Sequence, residues 1–331
     1  MRNPFKMVIS KLTSPLEVFI EFPRKRQALP IRLVASIHPA LPNIIAQLQV
    51  RTFYKSRKLD KSDHSSFKLL KIAERDVDRI YREVSVNGYS ILTDAIPPEV
   101  LKSLISAVQS TVVIERTTSE TPYRGKIDGR PHSIGRYDVE GSELLKNKAI
   151  RDFSFSNDWK QLGEKLLKQK IVWDGVDSWW MYQSTPESAS FNAQAFHSDR
   201  ERLAFIKFFV YLTDIDLTTG PHVYAKGTHK KRPLALRGDR RYSDSELAEK
   251  GIEIEPICGP AGTIVIANTQ GLHKGVPPHE GKGGRLLFQI QIANSLRGFE
   301  RYIDPIISEE KDVQAAYVSD PKYFEELRFK L

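Results

Sequence analysis

Cysteine is almost missing from the 331 residues: Cys258 stands alone, so no intrachain disulfide can form and a reducing compartment is the natural setting. It lies in Ile254-Glu-Pro-Ile-Cys258, which reads as a strand, and is expected to be a small core residue rather than a nucleophile. Also missing is any apolar run near the ~18 residues of a membrane-spanning helix. Lys6, Lys11 and Glu17 interrupt the first residues, which therefore lack the apolar stretch of a secretory signal. Phe329-Lys330-Leu331 lacks the small first residue of a peroxisomal signal. A cytoplasmic protein is expected.

Charge is plentiful but unevenly placed. The chain carries 50 Lys and Arg against 41 Asp and Glu, a net +9. Residues 1–61 hold twelve of those bases and three of the acids, so this segment accounts for the whole excess. With prolines at 15, 23, 30, 39 and 42, residues 1–62 are expected to form a basic extension of strands and short helices packed on the main body. Such an arm is suited to weak contact with an anionic membrane surface. A solvated surface arm remains the simpler reading, and nucleic-acid binding is not expected.

From Phe67 to Val86 apolar residues recur at helical spacing, which predicts an amphipathic helix ended near Gly88. Tyr89–Leu92 reads as a short strand, and Pro97-Pro98 opens a helix to about Val112. Residues 115–143 are polar and read as a loop or lid, with Arg124, Arg130, His132, Arg136 and Tyr137 as candidate substrate contacts. Asn157-Asp158 is expected to cap a helix running to about Lys168.

The second half changes character. Segments 172–183, 191–196, 204–212, 220–225, 252–258, 262–267, 273–276 and 285–294 are rich in β-branched and aromatic residues and are separated by Gly, Pro, Asp and Asn. In the last, Phe288, Ile290 and Ile292 fall on one face and Gln289 and Gln291 on the other. Helices followed by eight strands predict a mainly β, α+β fold around a double-stranded β-helix, the jelly-roll or cupin-like arrangement, with its core at about 172–296.

Within that core, His197 and Asp199 are two residues apart, so on extended chain both side chains leave one face. An imidazole and a carboxylate are two members of the facial triad that holds non-haem Fe(II) with open coordination positions. In a jelly roll the chain near His273 can come close to them, which makes His273 the candidate third ligand; Arg285 follows twelve residues later.

The order Asn87-Gly88-Tyr89, His197-x-Asp199, Gly220-Pro-His-Val-Tyr-Ala-Lys-Gly-Thr-His229, Gly262-Thr-x-x-x-x-Asn268, His273 and Arg285 resembles the phytanoyl-CoA dioxygenase family of Fe(II)/2-oxoglutarate oxygenases over roughly Val84 to Leu296. The resemblance implies that His197, Asp199 and His273 ligate Fe(II) and that Arg285 pairs with the distal carboxylate of 2-oxoglutarate. An arginine fork suits that task because it matches a carboxylate in two hydrogen bonds and stays charged when buried. Gln183, Gln194 and Tyr182 fall where the family often places polar contacts to 2-oxoglutarate, with strand packing as the alternative.

The implied reaction couples O2-dependent decarboxylation of 2-oxoglutarate, to succinate and CO2, with hydroxylation of a small-molecule or carrier-bound metabolite. A carboxylate at 199 favours hydroxylation over halogenation. Two alternatives stand beside it: a protein hydroxylase or demethylase, in which a strand lysine such as Lys207 would hold the keto acid, and a catalytically inactive cupin-like binding protein. His222, His229 and His279 are read as turn or strand residues outside the metal site. Gly275 stands where the family often has Ser, so one hydrogen bond to the co-substrate is expected to be lost or replaced.

Overall fold

A computed structural model of the protein describes residues 67–117, 119–131, 135–183, 194–238, 240–294, 306–308, 310–325 and 327–329. The basic extension at 1–62, His132 and the first half of the expected strand 191–196 lie outside the described residues.

The first helix, α1 (Glu74–Asn87), buries Val77, Ile80 and Val84 along one stripe and has Glu74 and Asp76 at the positive end of its dipole. It ends at Gly88, whose φ of 96° lets its N–H return to the Val84 carbonyl at 3.0 Å. A Cβ there would also fall 2.3 Å from the Tyr224 hydroxyl. The helix starts seven residues later than its periodicity predicts. The N–H groups of Lys68, Leu69 and Leu70 instead donate to the Asp158 carboxylate at 3.0, 2.7 and 2.7 Å, which satisfies them without a helical turn.

Strand β1 (Tyr89–Leu92) and helix α2 (Pro98–Gln109) follow as expected. Next come β2 (Val113–Arg116), β3 (Arg124–Gly125), β4 (Arg136–Val139), and helices α3 (Gly141–Leu144), α4 (Lys148–Ser154) and α5 (Asn157–Leu167). The cap of α5 is Ser156, one residue ahead of the pair expected, with its side chain accepting from Asp158 N. The remaining elements are β5 (Val172–Met181), β6 (Phe205–Tyr211), β7 (His222–Ala225), α6 (Asp244–Ala248), β8 (Ile254–Ile257), β9 (Ile264–Ala267), β10 (His273–Gly275), β11 (Arg285–Ala293), β12 (Ile306–Ser308), α7 (Lys311–Ser319) and β13 (Leu327–Phe329).

Eight strands form one antiparallel sheet in the order β1-β9-β6-β11-β5-β4-β2-β3, and β10-β7-β8 form a smaller one. The bridge His197↔His273 extends the small sheet beyond β10, and Phe196↔Tyr242 continues it. On one face of the large sheet Ile206, Phe208, Leu286, Phe288, Ile290 and Ile292 join a core with the helices. Each such large side chain contributes roughly 1.5–3 kcal/mol when fully buried. The other face carries Trp179, Lys207, Phe209, Arg285, Leu287 and Gln289 and lines a cavity.

Residues 115–143 contain strand where a polar loop was expected. In β4, Tyr137 and Val139 are buried in the helix-side core, while Arg136 turns to the cavity. The inward face of this edge is polar because the cavity is polar. Cys258 is a further correction: it is exposed, just past the end of β8, and is not a core residue.

Candidate metal and co-substrate site

His197 and His273 sit directly opposite one another. His197 N donates to His273 O at 3.0 Å and His273 N to His197 O at 2.9 Å, a reciprocal antiparallel pair that sends both imidazoles to the same side, ring centroids 4.3 Å apart. Asp199 is pinned by its own N–H to Thr269 O at 2.8 Å. Each imidazole Nδ1 lies 3.0 Å from a carbonyl two residues upstream, Ala195 O for His197 and Gly271 O for His273. A carbonyl only accepts, so each Nδ1 carries a proton and Nε2 is the ring atom turned toward Asp199.

Those two Nε2 atoms face one carboxylate: His197 Nε2 is 3.6 Å from Asp199 Oδ1 and His273 Nε2 is 3.4 Å from Oδ2. One donor atom from each of the three residues lies within 4.8 Å of the others. Burial, then His273, hold His197 down to about 3, so its ring is neutral at physiological pH. Burial alone would raise the Asp199 carboxyl, but Lys207 and His273 outweigh it and keep the group ionised. Two imidazoles fixed through Nδ1 and one ionised carboxylate fit a divalent transition metal such as Fe(II).

Lys207, named in the sequence only within the alternative protein-hydroxylase reading, holds the metal-site carboxylate. Its Nζ is 2.7 Å from Asp199 Oδ2 and 3.2 Å from Glu201 Oε1, which fixes the carboxylate's orientation. The signal for this was a lysine in the middle of an apolar strand, where burial demands an acid partner. His222 stacks on His273 at 5.4 Å and lines the cavity, but is outside the ligand cluster. Burial, then His273, push its ring well below the ordinary value.

Arg285 opens β11 on the facing sheet. Its Nη1 donates to the Gly220 and Val276 carbonyls. Gly220 has φ 90°, and a Cβ there would fall 2.3 Å from Val276 O, so the ledge beneath the guanidinium needs glycine. The side chain is buried, its Nε has no hydrogen-bond partner, and no carboxylate pairs with it among the described residues. Burial lowers its pKa to about 10, which leaves it charged at neutrality. A buried charge without a counter-ion costs several kcal/mol, and an arriving carboxylate removes that cost. At Gly275 a Cβ would lie 3.2 Å from Arg285 Nη2, so glycine keeps this side of the fork open.

The cavity between the sheets has a volume of about 640 Å³ and contains all four of these residues. Gln183 and Gln194, expected as contacts to 2-oxoglutarate, do not line it. Gln183 lies past the end of β5, its carbonyl accepting from Gly135 N at 2.7 Å, and Gln289 occupies the inner face instead. Tyr182 stacks on Trp180 at 5.9 Å within the helix-side core, and Tyr137 is in that core too. Arg124 and Arg130 are off the cavity wall, whereas Arg136 and Trp179 are on it. His229 and His279 are outside the ligand cluster.

Residues 84–281 match the model of the phytanoyl-CoA dioxygenase (PhyH) family. No curated protein matches the sequence. Among solved structures, the epimerase SnoN from nogalamycin biosynthesis, in complex with Fe3+, alpha ketoglutarate and nogalamycin RO, is similar at 12% identity, with a TM-score of 0.52, over 69% of this chain and 88% of that one. SnoN is similar in a second structure at 11% identity and a TM-score of 0.50, over 67% of this chain and 85% of that one. EctD from S. alaskensis, with 2-oxoglutarate and 5-hydroxyectoine, follows at 14% identity and 0.49, over 74% and 86%.

Proposed function

The chain belongs to the phytanoyl-CoA dioxygenase family, and from that premise we propose that it is an Fe(II)- and 2-oxoglutarate-dependent dioxygenase. It hydroxylates a small-molecule or carrier-bound metabolite and releases succinate and CO2. The observation that carries this reading is one cavity holding the His197, Asp199 and His273 donor atoms on one sheet and the unpaired Arg285 guanidinium on the other. Residues 63–331 make up the dioxygenase domain, with 1–62 as its basic extension. Among the described residues no helix is long and apolar enough to cross a membrane.

Fe(II) with 2-oxoglutarate supplies the oxidising chemistry, decarboxylation of the keto acid by dioxygen, which leaves one oxygen atom for the substrate. The chain supplies position. His197 and His273 would hold the metal through Nε2, because their Nδ1–H groups are tied to Ala195 and Gly271 carbonyls. Lys207 turns Asp199 through Oδ2, and a metal held by these three side chains would keep room for the keto acid beside it. Arg285 receives the distal carboxylate on its unpaired edge. Trp179, Phe209 and Leu287 are the apolar part of a cavity wall that is otherwise mostly polar. Lys207 is engaged with Asp199 and Glu201, which supports Arg285 as the co-substrate cation over a lysine-dependent protein hydroxylase.

The test is anaerobic titration of the protein with Fe(II) and 2-oxoglutarate. A weak visible charge-transfer band is expected, absent in His197→Ala, and Asp199→Ala is expected to stop succinate formation. No band in the wild type, or full turnover by Asp199→Ala, would remove this reading.

A further inference from the structure

A row of arginines crosses the large sheet on its cavity face. Arg116 of β2 pairs with Arg136 of β4, Arg136 with Met181 of β5, and Met181 with Arg285 of β11. All four line the cavity. Strands lie ~4.8 Å apart, so the Cα atoms of Arg136 and Arg116 are about 10 and 14 Å from that of Arg285. Exposure rises along the row: Arg285 is 3% exposed, and the side chains of Arg136 and Arg116 are 15% and 44% exposed. The inner end is a buried co-substrate cation, and the outer end opens on solvent.

Like charges directly opposite on adjacent strands destabilise a sheet. Here a single carboxylate serves both: Arg136 Nε is 2.5 Å from Asp138 Oδ1 and Arg116 Nη1 is 3.7 Å from Oδ2. The Arg136 guanidinium also lies over the Trp179 ring, 4.4 Å from its centroid. Arg241 enters the cavity from the segment before α6 and has no ion pair among the described residues. Burial first, then Arg136, with Arg241 contributing, lower the Arg116 pKa, the mark of cations crowded at one mouth.

The charge is more than the cofactors use. Seven lysines and arginines line the cavity against three acids. Asp138 and Glu246 pair with Arg136 and Arg240 from outside the wall. A divalent metal and doubly charged 2-oxoglutarate cancel one another and do not reduce that excess.

We infer that the substrate carries an oxyanion, a phosphate or a carboxylate, held between Arg116 and Arg136 at the outer end of the row and met by Arg241 from the facing segment. Its organic body then runs inward along Trp179 toward the metal ligands. This rests on the dioxygenase reading and narrows it to an anionic metabolite. Paired guanidiniums on adjacent strands match an oxyanion in geometry as well as charge.

The test is calorimetry on the full chain loaded with Mn(II) and saturated with 2-oxoglutarate, using phenyl phosphate, benzoate and neutral benzyl alcohol as probes. At least one oxyanion is expected to bind ten-fold or more tightly than benzyl alcohol, and the tighter one identifies the group. Arg136→Gln and Arg116→Gln are each expected to weaken it at least ten-fold, with 2-oxoglutarate affinity held within three-fold. Arg241→Gln, at an exposed position outside the sheet, is expected to weaken it about three-fold and covers the case in which a sheet variant does not fold. Oxyanions that bind no better than benzyl alcohol, or undiminished binding in all three variants, overturn the inference. Failure of 2-oxoglutarate itself to bind the Mn(II)-loaded wild type would instead overturn the dioxygenase reading.

Discussion

Arg202 and Arg285 are buried to the same degree, 4% and 3% exposed, near opposite ends of the β5–β11 ladder, yet their surroundings are opposite. Arg202 grips Asp174 through two nitrogens, at 2.6 to 3.0 Å, and Gln291 Nε2 donates to the same carboxylate at 2.5 Å. Arg285 meets two backbone carbonyls and no acid among the described residues. Burial therefore does not separate a structural charge from a binding one; the partner does. A clamped guanidinium holds the ladder, whereas one left open in a cavity stores an unmet demand for an anion.

Three substitutions test this contrast. The largest effect is expected of Asp174→Ala, which strands Arg202 without its counter-ion and should lower unfolding free energy by about 3–5 kcal/mol in urea melts. A loss below about 1 kcal/mol would break the comparison. Next is Arg285→Gln, which should weaken 2-oxoglutarate binding by about 2–5 kcal/mol, roughly 30-fold or more by calorimetry. Since it removes an uncompensated charge, its urea midpoint should hold or rise; a fall like that of Asp174→Ala would make Arg285 structural too.

The smallest effect concerns a weaker base under the same burial. His229 is 2% exposed, and burial, then Lys230, hold its ring down to about 4. Between about pH 6.5 and 4 the unfolded chain binds a proton that the folded chain refuses, so this contribution is complete above pH 6.5 and is lost as pH falls. The ceiling is about 3 kcal/mol. His229→Gln should flatten stability between pH 7 and 5 by up to about 2 kcal/mol, and an unchanged slope would show that the ring is not held neutral. His197 and His222 are depressed in the same direction, so part of the acid sensitivity should survive.

Much of the site was legible because its chemistry needs rare residue types at fixed spacings: His197 and Asp199 on one face, a distant histidine, and an arginine at the head of an apolar strand. The helix-side half of the large sheet was legible from alternation, as in Phe288, Ile290 and Ile292. The rest was hidden where tertiary contacts overrode local pattern. Asp158 took the amides of 68–70 and delayed α1. Strands β2 and β4 resembled a loop because their inner residues face a cavity lined by charged side chains. A lysine within an apolar strand signalled a buried acid partner but not which one, since Asp199 and Glu201 reach Lys207 only when the chain turns into β6. Gln183 was assigned by strand position, but β5 ends two residues before it.

The reciprocal pair between His197 and His273 ties two metal ligands to a single rung of the small sheet. Deleting one residue from the turn 268–272 would rotate the second imidazole to the opposite surface, since neighbouring side chains alternate. Assembly of the centre is thus all-or-none with closure of that last rung, and a chain that paired one step out of phase would fold around a cavity without its ion.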